Sequence, residues 1–180
     1  DRMEALSEIG RRRAAIEALI ARLKYLDQQE RDRAVAAVLR CAGVPRPREL
    51  MMSTADVRTL RSAGMGVGAH THTHPILARM PVADAERDIR VGREWLENAM
   101  QAKVSHFAYP NGGPGVDYGG EHVNLVPRLG FAAAFSTAAG TAWARSDPFQ
   151  LPRFTPWDRT EGRFLLRLCR NAMRQKVAVA

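Results

Sequence analysis

Three of the five histidines in this 180-residue chain stand at every second position in Gly68-Ala69-His70-Thr71-His72-Thr73-His74-Pro75. Imidazole is the commonest protein ligand of catalytic metals, so the run reads as half of a metal site. If it continues as a strand, His70, His72 and His74 share one side and Thr71 and Thr73 the other. If the chain turns after His70, His70 and His74 converge while His72 points elsewhere. Pro75 favours an extended or turning conformation at His74. The bland alternative is a solvated, histidine-rich turn. An affinity-tag remnant does not suit a position between two regular elements.

The elements that must position these side chains alternate between strand and helix. Met65-Gly66-Val67-Gly68-Ala69 is short, apolar and glycine-punctuated, and is expected to be a strand opening into the histidine loop. A helix is expected over 82–100, with Val82, Ile89, Leu96 and Met100 among its apolar positions. A strand over 104–109 follows and opens into Pro110-Asn111-Gly112-Gly113-Pro114-Gly115, which is too rich in Gly and Pro to be regular. Residues 121–129 read as a short helix despite Pro127, 131–136 as a third strand, and 151–154 as a further extended piece. From Glu161 the chain reads as a basic helix. Alternation of this kind indicates parallel α/β architecture.

The front third is helical. Ile16, Leu19, Ile20, Leu23 and Leu26 recur at helical spacing within 3–26, and Gly10 is placed to kink or divide that helix. Asp27 can cap a second helix with Val35, Val38 and Leu39 on its apolar side and Gly43 as its stop. Pro45 and Pro47 mark a break. Ser53 can cap a third helix through Leu60 that ends at Gly64. This third carries no recognisable chemistry. The expected division is a helical cover or insertion at 1–50, an α/β core at 51–160 and a basic helix at 161–180.

The chain is long enough for one domain with a sizeable core. No run approaches the roughly 18 apolar residues of a membrane span. Cys41 and Cys169 form no C-x-x-C, so neither a disulfide framework nor a zinc knuckle is indicated. The net charge of +8 is concentrated in Arg11-Arg12-Arg13 and in Arg159, Arg163, Arg167, Arg170, Arg174 and Lys176. The second set falls near helical spacing. It reads as a solvated helix face or as a stripe that meets a polyanion, with a steep salt dependence as the signature of the latter. No aromatics interleave these charges as in a single-strand binder, so no nucleic acid is expected.

At this point the residues resemble the polysaccharide deacetylase superfamily. Its His-Ser/Thr-x-x-His motif is similar to His70-Thr71-His72-Thr73-His74, and one branch shows Phe-Ala-Tyr-Pro-x-Gly, as in Phe107-Ala108-Tyr109-Pro110-Asn111-Gly112. The approach over 63–69 and the stretch over 147–153 look like the same branch. The resemblance covers about residues 50–157. It implies a distorted β/α barrel, here incomplete and with an added helical segment at the amino end, and one divalent metal, most often zinc, held by His70 and His74. The implied activity is removal of N-acetyl groups from a carbohydrate. Carried over by position, the oxyanion donor is the backbone N–H of Asn111, with Tyr109 and Pro110 shaping the groove wall. The family's third ligand and its base are aspartates of a Thr-Phe-Asp-Asp motif. No Asp-Asp pair occurs in these 180 residues, and the expectation is that the pair lies upstream of Asp1.

Three departures follow. The arginine that orients the base in many members corresponds to Ala108, and Arg153 is the one substitute to name. The terminal Leu-x-His motif of the general acid is missing, since no histidine follows His122. His72 is an extra histidine, expected to be exposed. Tyr109 divides evenly between core and groove. Trp157 is placed with the substrate-binding residues and Trp143 as a cap on the core. His106 reads as structural, and Asp117 and Glu121 are unassigned acids near the loop. Two functions from different classes remain: an incomplete metal-dependent N-deacetylase, and a non-catalytic deacetylase-like module for carbohydrate binding or assembly. Bare apolar surface at Leu19, Ile20 and Leu23 would further favour a homo-oligomer; the alternative is that the first 50 residues fold back over the gap and give a compact monomer.

Overall fold

The computed structural model describes residues 8–46, 50–155, 157–174, 177 and 179–180. They fall into two compact units, Asp1–Leu50 and Met51–Ala180. Among the described residues no helix is long and apolar enough to cross a membrane.

The first unit is a pair of helices, α1 (Ile9–Leu23) and α2 (Gln28–Ala42). Gly10 lies inside α1, near its start, and does not divide it; the expected stretch before Glu8 lies outside the described residues. Asp27 caps α2, its carboxylate accepting the Glu30 N–H at 2.8 Å. Gly43 ends α2 in the left-handed conformation at φ 64°. Neither helix buries a side chain.

The second unit opens with α3 (Thr54–Ser62). Ser53 and Asp56 form a reciprocal capping box: the Asp56 N–H donates to Ser53 Oγ at 3.2 Å, and the Ser53 N–H donates to the Asp56 carboxylate at 2.8 Å. The chain then passes through the histidine loop and a 3₁₀ turn at Leu77–Arg79 into α4 (Val82–Met100). There follow β1 (His106–Ala108), α5 (Gly120–Arg128), β2 (Ala133–Phe135) and α6 (Glu161–Ala172). Pro127 sits inside α5, in its last turn.

β1 and β2 pair in parallel, with Phe107 opposite Ala134. Single parallel bridges extend the sheet on both sides, Ala69 beside Phe107 and Leu151 beside Phe135. The expected strand at 65–69 is thus reduced to one bridge at Ala69. Gly64, Gly66 and Gly68 offer no side chains to pack, and Met65 is exposed, so only the last residue joins the ladder. The other two expected strands shorten to their central three residues. The class is α/β, and among the described residues the sheet has two strands.

The core lies where α4 and α5 cover this sheet. Leu77, Ile89, Val104, Phe107, Leu125, Val126 and Phe131 are buried there. Each such side chain contributes about 1.5–3 kcal/mol by leaving water. The Phe107 ring lies edge-on to Tyr109 at 5.2 Å and tilted against Phe131 at 5.4 Å. Glu97 on α4 accepts the Val104 N–H at 2.9 Å and pairs with Arg93 at 2.9 Å, which fixes the approach to β1.

Candidate active site

The chain leaves the sheet at Ala69 and turns at once. Thr71 and His74 adopt left-handed backbone, at φ 65° and 56°. That is an unusual conformation for a β-branched residue such as Thr71, and surrounding contacts must hold it. Asp88 on α4 does so. Its Oδ1 accepts the N–H groups of His72 at 2.8 Å and Thr73 at 3.2 Å, and its Oδ2 accepts the Thr73 hydroxyl at 2.6 Å. One turn further along the same helix, Gly92 lets the loop backbone approach. A Cβ there would lie 2.5 Å from the Thr71 carbonyl oxygen. A third contact is internal: the His74 N–H donates to Thr71 Oγ1 at 3.1 Å.

The turn brings His70 and His74 together and leaves His72 out. The two ring centroids are 4.8 Å apart at 75°. Of the two conformations open to the sequence, the chain adopts the one that converges after His70. His72 is exposed and contributes its backbone to Asp88. His70 is half-buried, and its Nδ1 donates to the Ala108 carbonyl at 2.7 Å. That bond fixes the tautomer and leaves the lone pair on Nε2, the arrangement a metal-ligating histidine uses. Burial pushes the His70 pKa below its usual value; the Ala108 carbonyl acts the other way, and the charges of His74 and Arg153 add to the depression. The ring is therefore held neutral. The His70–His74 pair fits two ligand positions of a divalent metal. Among the described residues no third His, Cys, Asp or Glu joins it.

The second loop leaves β1 at Tyr109. Asn111 and Gly112 are left-handed, at φ 59° and 73°. The Gly112 N–H closes a tight turn on the Pro110 carbonyl at 2.6 Å. Thr137 holds the loop from the end of β2: its hydroxyl donates to the Asn111 carbonyl at 2.9 Å and its N–H to the Gly112 carbonyl at 2.8 Å. The Asn111 N–H donates to no described residue.

Placement of the other residues differs from the sequence reading in several respects. Tyr109 and Pro110 are buried, and the Tyr109 hydroxyl donates to the Phe149 carbonyl at 2.9 Å. Burial pushes the Tyr109 pKa above its ordinary value. Both side chains support the loop from inside and present no groove wall. Trp143 is 56% exposed and does not cap the core, because its loop runs over the surface; Trp157 is 81% exposed. Asp117 accepts the Gly113 N–H at 2.9 Å and serves its own loop. Glu121 lies 3.3 Å from the buried His122 ring. Arg153 is exposed, and its charge reaches His70. Asp88 and Gly92 were not singled out from the sequence. Their only signal is the i, i+4 spacing that puts both on one face of the helix after the histidine run.

An α/β unit with a histidine pair at the carboxyl end of a sheet segment defines the class. Residues 29–134, more than half of the chain, match the family model described as polysaccharide deacetylase. The chain belongs to that family. Among solved structures, a deacetylase of Streptococcus pyogenes, PplD, in complex with acetate, is 20% identical, with a TM-score of 0.58 over 64% of this chain and 50% of that one. IcaB from Ammonifex degensii is 20% identical, with a TM-score of 0.54 over 78% and 67%. A polysaccharide deacetylase from Bacillus cereus is 22% identical, with a TM-score of 0.50 over 58% and 32%. At these identities the likeness speaks to the fold. The chain spans half the length of the Streptococcus protein. The comparison with curated proteins finds no match.

Proposed function

We propose that this chain carries the histidine half of a metal-dependent hydrolase that removes N-acetyl groups from a polysaccharide or amino sugar, on a partial β/α barrel. The observation that carries the reading is the converging pair, with His70 Nδ1 engaged by Ala108 and Nε2 left free. His70 and His74 would hold the ion, for which zinc suits imidazole ligands. Bound there, it would supply Lewis-acid polarisation of the acetamide carbonyl and a nucleophilic water. The Asn111 N–H, on a backbone fixed by Thr137, is the donor for the developing oxyanion. Arg153 supplies positive charge beside His70. Tyr109 and Pro110 set the height of the Asn111 loop, and Trp157 offers an exposed ring for a sugar face.

Two protein ligands fall short of the three usual in catalytic zinc sites. A longer polypeptide carrying an Asp-Asp pair would complete the set and provide the base. The 180-residue chain is expected to bind zinc weakly and to release no acetate from N-acetylated sugar oligomers. In the longer polypeptide, His74→Ala is expected to abolish acetate release. Release by the 180-residue chain at a comparable rate would refute the assignment. The absence of an Asp-Asp pair favours a second reading, a non-catalytic carbohydrate-binding module, which inactivity of the longer polypeptide would select.

A further inference from the structure

The basic stripe of α6 does not simply face water. Arg163, Arg167 and Arg170 follow one face of α6, Arg174 stands just past its end, and all four line a cavity of about 760 Å³, with Thr137 and Arg153 also in its lining. Asn171 seats the helix. It is 8% exposed, its Nδ2 donates to the Gly140 carbonyl at 2.7 Å, and its own carbonyl accepts the Thr141 hydroxyl at 3.2 Å. Of the charged groups lining the cavity among the described residues, five are arginines and one is an acid, Asp158. Asp158 is taken by Arg167, at 2.7 Å to Nε and 3.0 Å to Nη2. The other four arginines have no carboxylate partner among the described residues.

A concave surface of one sign focuses its field, and the planar guanidinium fork matches a carboxylate or phosphate. Two residues join this cavity to the candidate active site. Arg153 lines it and acts on His70. Thr137 lines it and holds the Asn111 loop. The volume suits a few sugar rings. Among the described residues the lining contains one aromatic, Phe154, where a single-strand nucleic-acid site would use several for stacking.

We propose that this cavity binds the anionic substituents, carboxylate or phosphate, of a carbohydrate chain whose N-acetylated unit lies at His70 and His74. The proposal rests on the deacetylase reading for the second half of that statement only.

The test is fluorescence anisotropy with the 180-residue chain and four labelled probes of equal length: an oligogalacturonate, a phosphate-bearing oligosaccharide, a neutral N-acetylglucosamine oligomer and oligothymidylate. One anionic oligosaccharide is expected to bind roughly tenfold or more tighter than the neutral one, and which of the two does so identifies the anion. Its affinity should fall between about 50 mM and about 200 mM salt. The pair Arg163→Gln and Arg170→Gln should weaken it roughly tenfold at unchanged helix content by circular dichroism. Arg87→Gln, exposed on α4 and outside the cavity lining, should leave it unchanged. Zinc binding, followed separately on the wild type, reads the histidine pair, so a failed deacetylase reading and a failed cavity reading are separable. Equal affinity for the neutral oligomer would overturn the proposal. So would indifference to the arginine pair, equal or tighter binding of oligothymidylate, or full displacement by inorganic phosphate at the affinity of the oligosaccharide itself.

Discussion

The two helices of the first unit and the histidine loop of the second invert the usual relation between regularity and anchoring. α1 and α2 are regular, Asp27 caps α2, and neither buries a side chain. The loop has no regular structure and includes two left-handed non-glycine residues, yet Asp88 holds it by three hydrogen bonds and α4 meets its backbone at Gly92. Local propensity and contact with each other are what α1 and α2 have to hold them. A strained turn persists only where the packing around it determines it.

The largest expected effect tests the core on which that anchoring stands. Phe107 is 1% exposed and contacts two rings. Phe107→Ala should cost about 3–5 kcal/mol by urea unfolding. A loss below about 1 kcal/mol would mean the sheet does not anchor the second unit.

The next effect sets two helical glycines against each other. At Gly92 a Cβ would press on the Thr71 carbonyl, so Gly92→Ala should cost about 1–3 kcal/mol and weaken zinc binding by the histidine pair. At Gly10 a Cβ would meet nothing within 4 Å, so Gly10→Ala should stabilise α1 by up to about 1 kcal/mol. Equal signs for the two, read by thermal unfolding at 222 nm, would break the comparison.

That asymmetry also marks what the sequence could and could not say. Caps are local, so Asp27, Gly43 and Ser53 could be placed from their neighbours alone. The histidine pair could be placed as a candidate because only two conformations of the run were open. Its family motif, with Phe107–Gly112, pointed to the polysaccharide deacetylases, and the match over residues 29–134 bears out that resemblance. Asp88 was invisible because its partners are backbone amides 15 and 16 residues away, and no residue type announces an amide. The strand at 65–69 failed for a related reason: apolar pattern does not tell how many residues find a partner. Charge spacing on α6 gave the stripe, while the wall opposite it depended on Asn171 and the Gly140 carbonyl.

A third effect separates the units by pH. All five histidines lie in the second unit. Burial lowers the pKa of His70 and of His122 from 6.5. In the metal-free protein the unfolded state therefore takes up protons first as pH falls. Stability should be flat above about 6.5 and decline below it, and it should not decline as pH rises. Replacing His122 with Gln should flatten the slope. Helix content assigned to α1 and α2, followed by hydrogen exchange, should not change over the same range. A stability that rises on acidification would contradict the lowered pKa of both rings.

The smallest effect concerns the apolar side chains of the first unit. Leu19 is 37% and Ile20 58% exposed. Substitutions at such positions stay within about 0.5 kcal/mol. Ile20→Ala also exchanges a β-branched residue for the best helix former, which offsets the little burial lost. The net change in a monomer should thus be close to zero. The homo-oligomer expectation makes a different demand. If a second copy covers this face, Ile20→Ala should cost several times more at high protein concentration than at low, because the loss then includes the interface. Ile20→Asp should lower the mass by light scattering to that of one chain, since a carboxylate cannot be buried there unpaired. A concentration-independent change near zero, with one-chain mass for the wild type, would remove the oligomer. The exposed face of α1 would then belong to a helix held by local propensity and by α2, in contrast to a histidine loop held by Asp88 and α4.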